Sequence, residues 1–186
     1  MIEEILINIT PMETRVAVVE YGVLQEVHVE RSFKRGIVGN IYKGKVLRVL
    51  PGMQAAFVDI GLEKAAFIHA GDIHNREGSA PENITALLHD GQSIIVQVTK
   101  DPIGTKGARL TTQLSVPSRY LVYMPHTQHL GISLKIDEEN ERERLKEILT
   151  QAMEEEEIGS QSGFILRTAA EGVSMEEIQE DVRYLK

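Results

Sequence analysis

Phe57 and Phe67 stand in two short β-type runs, "QAAFVDI" and "AAFIHA". Side chains alternate across a strand, so Ala56, Val58 and Ile60 share one face of the first run and leave Phe57 with Asp59 on the other. In the second run Ala66, Ile68 and Ala70 form the apolar set and leave Phe67 with His69. Two aromatic rings aimed at solvent from neighbouring strands could stack on nucleobases, at about 1–3 kcal/mol per base and with little preference for base identity. The other reading puts both rings in the core of a small barrel, because parity arguments fail at a bulge. Cations nearby could neutralise phosphates. Lys43 and Lys45 share one parity on the preceding run "IYKGKVLRVL", and Lys106 with Arg109 follows the glycine-flanked turn "GTKG". Ordinary surface lysines would look the same, and "GTKG" lacks the spacing of a P-loop.

Arg167 and Thr168 end the run "FILRT", where a guanidinium fork and a hydroxyl could grip a terminal phosphate. A single surface ion pair is the alternative. The 6 histidines show no metal-ligand spacing, and His126 with His129 lies beside Pro125 in a loop-like stretch. Asp59, Asp72 and Asp101 are scattered, and nothing forms a nucleophile and base set. No metal ligand and no catalytic residue is therefore assigned to this chain.

The elements that would position these residues are mostly strands. Residues 3–30 read as a β-meander, "EILINIT", "TRVAVVE" and "LQEVHVE", with a turn at Tyr21–Gly22 and β-branched content that favours strand over helix. Five further strand candidates follow: "IYKGKVLRVL", "QAAFVDI", "AAFIHA", "SIIVQVTK" and "ARLTTQLSV". Their separators carry turn residues, and the long polar connection lies between the third and fourth. Five antiparallel strands in that order match an OB-fold, whose second and third strands bind oligonucleotides; Phe57 and Phe67 fall on those two. Beyond Pro117, "SRYLVYMP" reads as a strand. "ERLKEILTQAM" then places Leu145, Ile148, Leu149, Ala152 and Met153 at helical spacing. A strand over "FILRTAA" follows, and Ser174 with Glu177 forms a capping box for a last helix that runs to Lys186 without a stop signal. On this reading the chain is cut in mid-element.

At 186 residues with 42% hydrophobic content, the chain can build one domain or two small ones. It reads as soluble and globular, with no apolar run of membrane-spanning length and with acids in "MIEEILINIT" where a signal peptide carries basic residues. The absence of cysteine suits a reducing, cytoplasmic location. A net charge of −8 argues at first against nucleic acid, but the charge is unevenly spread. Arg31, Lys34, Arg35, Lys43, Lys45 and Arg48 occupy a stretch with no acid, whereas "DEENERER" and "MEEEE" concentrate acids near the C-terminus. Steering follows the local field, so the first region can attract an anion.

The segments "NITPMETRVAVVE", "LQEVHVERSFKRGIVGNIYKGKVLRVLPGMQAAFVDIGLEKAAFIHA", "VQVTKDPIGTKGARLTTQLSVPSRYLVYMP" and "GFILRTAAEGV" closely resemble the N-terminal part of the bacterial ribonuclease E/G family over nearly the whole chain. The resemblance implies an α+β, β-rich architecture. Residues 1–35 would be the first part of a split RNase H-like subdomain, 36–116 an S1 domain of the OB class, and 117–186 most of a 5′-sensor. Members of the family are Mg²⁺-dependent endoribonucleases that cut single-stranded, A/U-rich RNA, prefer a 5′-monophosphate, and act in rRNA maturation and mRNA turnover. By resemblance, Phe57, Phe67 and Lys106 hold RNA on the S1 face. Arg167 and Thr168 grip the 5′-monophosphate, with Val122 lining that pocket. The family's Mg²⁺-binding aspartates, in a DNase I-like domain, and its zinc-linking cysteines, which join subunits of a homo-oligomer, lie beyond the matched residues. The chain is thus expected to bind RNA without cutting it and to hold no cofactor. A stand-alone S1 module and a protein-interaction domain using Phe57 and Phe67 are the rival readings.

Overall fold

The computed structural model describes residues 3–74, 83–159 and 161–186. The chain divides into two compact units, Met1–Ile37 and Val38–Lys186.

The first unit is an antiparallel meander of β1 (Glu3–Ile9), β2 (Glu13–Glu20) and β3 (Val23–Arg31) in the order β1-β2-β3. Its turn uses Tyr21 and Gly22, both at positive φ (49° and 78°), as a two-residue hairpin turn of the right twist requires. None of the unit's described residues is buried. Ile5, Leu6 and Ile7 are each more than half exposed, so apolar side chains emerge on both faces of β1. A three-stranded sheet needs a packed face for independent stability, and this one has no core among its described residues.

The second unit contains a closed barrel of β4 (Ile41–Leu50), β5 (Ala55–Asp59), β6 (Ala66–His69), β7 (Ser93–Lys100) and β8 (Arg109–Thr111), in the order β4-β5-β6-β8-β7 with β7 returning to β4. The expectation of five antiparallel strands fails at one pair: β6 and β8 run parallel, because β7 lies between β8 and β4 in the closed order, while the other pairs are antiparallel. This is the expected five-stranded OB barrel. Its core is built from alternate positions, Val46, Ala56, Val58, Ala66, Ile68, Val96, Val98 and Leu110, all essentially inaccessible to solvent. The short helix α1 (Ile84–Leu87), inside what reads as a polar connection, is capped by Asn83 and buries Ile84, whose N–H donates to Gln54 Oε1 at 2.9 Å. One buried apolar side chain organises that helix, which is too weak a periodic signal to read from sequence.

The fifth strand is shorter than its sequence suggests, ending at Thr111 instead of continuing to Val116. Side chains take over from the ladder. The buried Gln97 amide donates to the carbonyls of Gly39 (3.0 Å) and Ser115 (2.8 Å) and accepts from Ser115 N–H at 2.8 Å. Thr111 Oγ1 donates to the Asp72 carbonyl at 2.8 Å. Val116 instead opens a second sheet.

That sheet has the order β11-β12-β10-β9, with β9 (Val116–Pro117), β10 (Leu121–Met124), β11 (Leu130–Ile132) and β12 (Gly163–Leu166). Helices α2 (Glu139–Glu155) and α3 (Met175–Leu185) join it in one hydrophobic core centred on Leu121, Leu145, Leu149, Phe164, Leu166, Ile178 and Val182. The core residues of α2 fall at the expected i, i+4, i+7 spacing. The capping box at Ser174 and Glu177 is formed in both directions. Asp181 of α3 accepts from Tyr120 N–H (2.9 Å), Leu121 N–H (3.1 Å) and the Ser118 hydroxyl, fastening the start of β10 to the helix.

Glu141, in the first turn of α2, accepts two hydrogen bonds from Arg144 (both 2.7 Å) and one from Gly172 N–H (2.8 Å). The Arg144 guanidinium first, and then the Gly172 amide, lower its pKa from 4.5 to about 2. A carboxylate depressed on folding stabilises the fold above its unfolded pKa, and that contribution is lost as pH falls through the folded value. The thermal midpoint of Glu141→Gln should therefore lie furthest below that of the parent above about pH 4.5, and the gap should close as pH approaches 2. A gap that is constant with pH would remove this role of the charge.

Candidate functional site

The outward face of the barrel is set by β5 and β6. Phe57 and Phe67 are register partners, and their rings meet edge to face with centroids 6.4 Å apart and planes at 65°. Phe57 is 38% exposed between two residues, Ala56 and Val58, that are fully buried; Phe67 is half-buried. The rings face out of the barrel, as alternation requires, and not into its core. They form the floor of an open groove of about 810 Å³ whose walls include Met53, Ile103, Thr105 and Lys106.

The wall that carries Lys106 is a tight turn. Ile103 and Lys106 exchange backbone hydrogen bonds at 3.1 and 3.0 Å, Gly104 has positive φ at 56°, and Lys64 Nζ donates to the Gly104 carbonyl at 2.6 Å. Gly107 then passes directly over Ala65, where a Cβ would run into the Ala65 carbonyl. That close approach lets β8 enter beside β6 and holds Lys106 at the groove.

The remaining cations differ in their surroundings. Arg109 is the register partner of Phe67, and its guanidinium is committed to Asp72 Oδ2 at 3.0 and 2.9 Å. Lys45 stands opposite Asp59. Lys43 lies further back, opposite Ile95 of β7, so the structure brings Lys45 but not Lys43 beside the Phe57 strand. A shift of register between Val46 and Arg48 places Arg48 opposite Phe57. A bulge of this kind re-aims side chains, and Arg48 faces solvent with the aromatic pair.

A second cluster lies on the sheet of the α/β region. Val122 of β10 pairs with Ile165 of β12, and Arg167 follows on the same parity. Arg167 Nη1 donates to the Ser118 carbonyl, and its N–H donates to the Tyr120 carbonyl at 2.8 Å. Thr168 Oγ1 is 3.1 Å from Ser133 Oγ. Ser133, Ile165, Arg167 and Thr168 line one shallow open cavity of about 490 Å³; Val122 is next to it in the sheet but is not among its walls. Nearby, Tyr120 donates its hydroxyl to Glu177 at 2.9 Å. That bond first, and then the Ser174 backbone amide, hold the Glu177 carboxyl below its usual range.

The ribonuclease E/G family model matches residues 115–186, and the S1 RNA binding domain model matches residues 37–111. Ribonuclease G of Salmonella typhimurium is 56% identical over 195 aligned positions, covering 100% of this chain and 39% of that protein. Ribonuclease G of Escherichia coli is 55% identical with the same coverage. By sequence, this chain belongs with the N-terminal part of the ribonuclease E/G family. Ribonuclease E of Buchnera aphidicola is 40% identical over 97% of the chain and 20% of that protein. The chain thus spans about two fifths of the length of the ribonuclease G relatives, 39%. Among solved structures, a chain of the a/eIF2alpha-aDim2p-rRNA complex from Pyrococcus horikoshii OT3 aligns with a TM-score of 0.36 at 17% identity, covering 66% of this chain and 64% of that one; so slight a likeness carries no argument. The kinship with ribonuclease G and the S1 match together support RNA binding.

The sequence placed Arg48 in the acid-free stretch that can attract an anion but not beside the aromatic pair, and it gave Ser133 no role. Simple alternation sends Arg48 inward and only the bulge brings it out, while Ser133 is 35 residues from Thr168 and is joined to it by the parallel pairing of β11 with β12. The Gly107 contact leads to a direct expectation. Gly107→Ala should lower the urea midpoint by the equivalent of about 1–3 kcal/mol, the usual cost of overpacking a tight contact, and an unchanged midpoint would show that the turn relaxes freely.

Proposed function

We propose that this chain is the single-stranded RNA-binding and 5′-end-sensing portion of a ribonuclease G-type endoribonuclease, acting in rRNA maturation and mRNA turnover. The observation that carries the reading is the outward-facing Phe57–Phe67 pair at the floor of a groove walled by Lys106, on the outer face of an S1 barrel. Bases of an A/U-rich strand stack on the two rings. Lys106, with Lys45 and the more distant Lys43, compensates the phosphates. The 5′-monophosphate is received at the cavity of Arg167 and Thr168, where the guanidinium supplies charge-assisted donors and the hydroxyl one more. Val122 supports that cavity from the adjacent strand. The meander β1–β3 is assigned to the family's split RNase H-like subdomain.

Cleavage is assigned to parts of the family's proteins outside these residues. Among the described residues no three His, Cys, Asp or Glu side chains lie together in a group able to hold a metal, and the chain has no cysteine. We assign the Mg²⁺ site and the zinc link between subunits of a homo-oligomer to those same outside parts of the family's proteins. Among the described residues no helix is long and apolar enough to cross a membrane. By its kinship with ribonuclease G, we assign the chain to the cytoplasm.

Two variants separate the two sites. Arg167→Ala should abolish any preference for 5′-monophosphorylated over 5′-hydroxyl RNA in fluorescence anisotropy with a short 3′-labelled A/U oligonucleotide. Phe57→Ala should weaken both RNAs equally, by about 1–3 kcal/mol. Equal effects of the two variants on both RNAs would end this division of labour. An interaction that persists at high salt would favour the protein-docking reading, since binding to phosphates weakens steeply with ionic strength.

A further inference from the structure

We infer that Arg48 is a phosphate-binding residue of the RNA face, and that the bound strand crosses the barrel along the rung Arg48–Phe57–Phe67 toward Lys106. This inference rests on the RNA-binding reading above and specifies the path of the ligand through that site. Arg48, Phe57, Phe67 and Arg109 are consecutive register partners on four adjacent strands, β4, β5, β6 and β8. Register partners point to the same side of a sheet, so the rung is a row of cation, ring, ring and cation on the outer surface. Adjacent strands are about 4.8 Å apart, which puts Arg48 one strand spacing from Phe57. From there an arginine side chain can reach the phosphate of a nucleotide whose base lies on that ring.

The two ends of the row are not equivalent. Arg109 is neutralised by Asp72 through two hydrogen bonds, which leaves it as a support for Phe67. Its end of the groove is served instead by Lys106 on the tight turn. Lys45 is the register partner of Asp59, two residues along β5 from Phe57. Arg48 has no ion pair among the described residues, and it owes its outward position to the bulge between Val46 and Arg48. Without that bulge Arg48 would fall on the core side of β4, where an unpaired charge is costly. The bulge therefore supplies a free guanidinium beside the first ring, and a guanidinium grips a phosphate with two parallel donors.

The test is anisotropy titration of the full 186-residue chain with a short 3′-labelled single-stranded A/U RNA from roughly 50 to 200 mM salt. Variants are Arg48→Ala, Arg48→Lys, Lys43→Ala and Phe57→Ala, each checked by circular dichroism. Arg48→Ala should weaken binding by roughly threefold to tenfold at the low-salt end and flatten the slope of log K against log salt by about 0.7, the loss of one phosphate contact on a single strand. Arg48→Lys should keep the slope, and Lys43→Ala should change it less than Arg48→Ala. If Phe57→Ala weakens binding while Arg48→Ala leaves the slope unchanged, the path through Arg48 is wrong and the RNA-binding reading stands. If the parent chain does not bind the RNA at all, both fail.

Discussion

The parallel pairing of β6 with β8 is the constraint on which the rest of the aromatic groove depends. It closes the barrel, and it is tight because a Cβ at Gly107 would collide with the Ala65 carbonyl. Once β8 is seated, Arg109 lies beside Phe67 and the turn before it rises as a wall over the two rings. The hydrogen bond from Lys64 to Gly104 fixes that wall. A groove with aromatic floor and cationic wall is thus a consequence of barrel closure at one tight contact.

The distribution of side-chain size across β5 follows from the same geometry. Ala56 and Ala66 are fully buried, so small residues fill the inside where strands of a small barrel converge, and the large rings are left outside. Full burial of a phenylalanine stabilises a fold by about 1.5–3 kcal/mol. The chain forgoes part of that at Phe57, which stays 38% exposed, and on the proposed reading stacking on a base would offset that loss. The bulge in β4 follows the same logic, since it trades regular pairing for an outward arginine.

Much of this was legible in the sequence because it follows alternation. The strand segments, the outward rings and the two amphipathic helices follow from local periodicity, and the capping box at Ser174 from its residue types, whereas the parallel pairing of β6 with β8 shows in neither. Features that depend on tertiary contact were not legible. Arg48 is displayed only because register slips by one residue, and the Arg109–Asp72 pair joins positions 37 residues apart. The last barrel strand stops early because the Gln97 side chain replaces its ladder, an exchange that no propensity records. At the second cluster, Arg167 and Thr168 were visible as a cation and a hydroxyl at a strand end, but Ser133 joins them only through β11, a three-residue strand too short to show a period.

The central claim is that single-stranded RNA lies on the rings of Phe57 and Phe67. Photocrosslinking of a 4-thiouridine-containing A/U RNA to this chain, with the attachment sites mapped by mass spectrometry, tests it most directly. The account predicts that the main crosslinks fall on Phe57, Phe67 or their immediate strand neighbours and are lost with an excess of unlabelled single strand. Specific crosslinks confined to the meander or to α2 and α3, with none on β5 or β6, would contradict it.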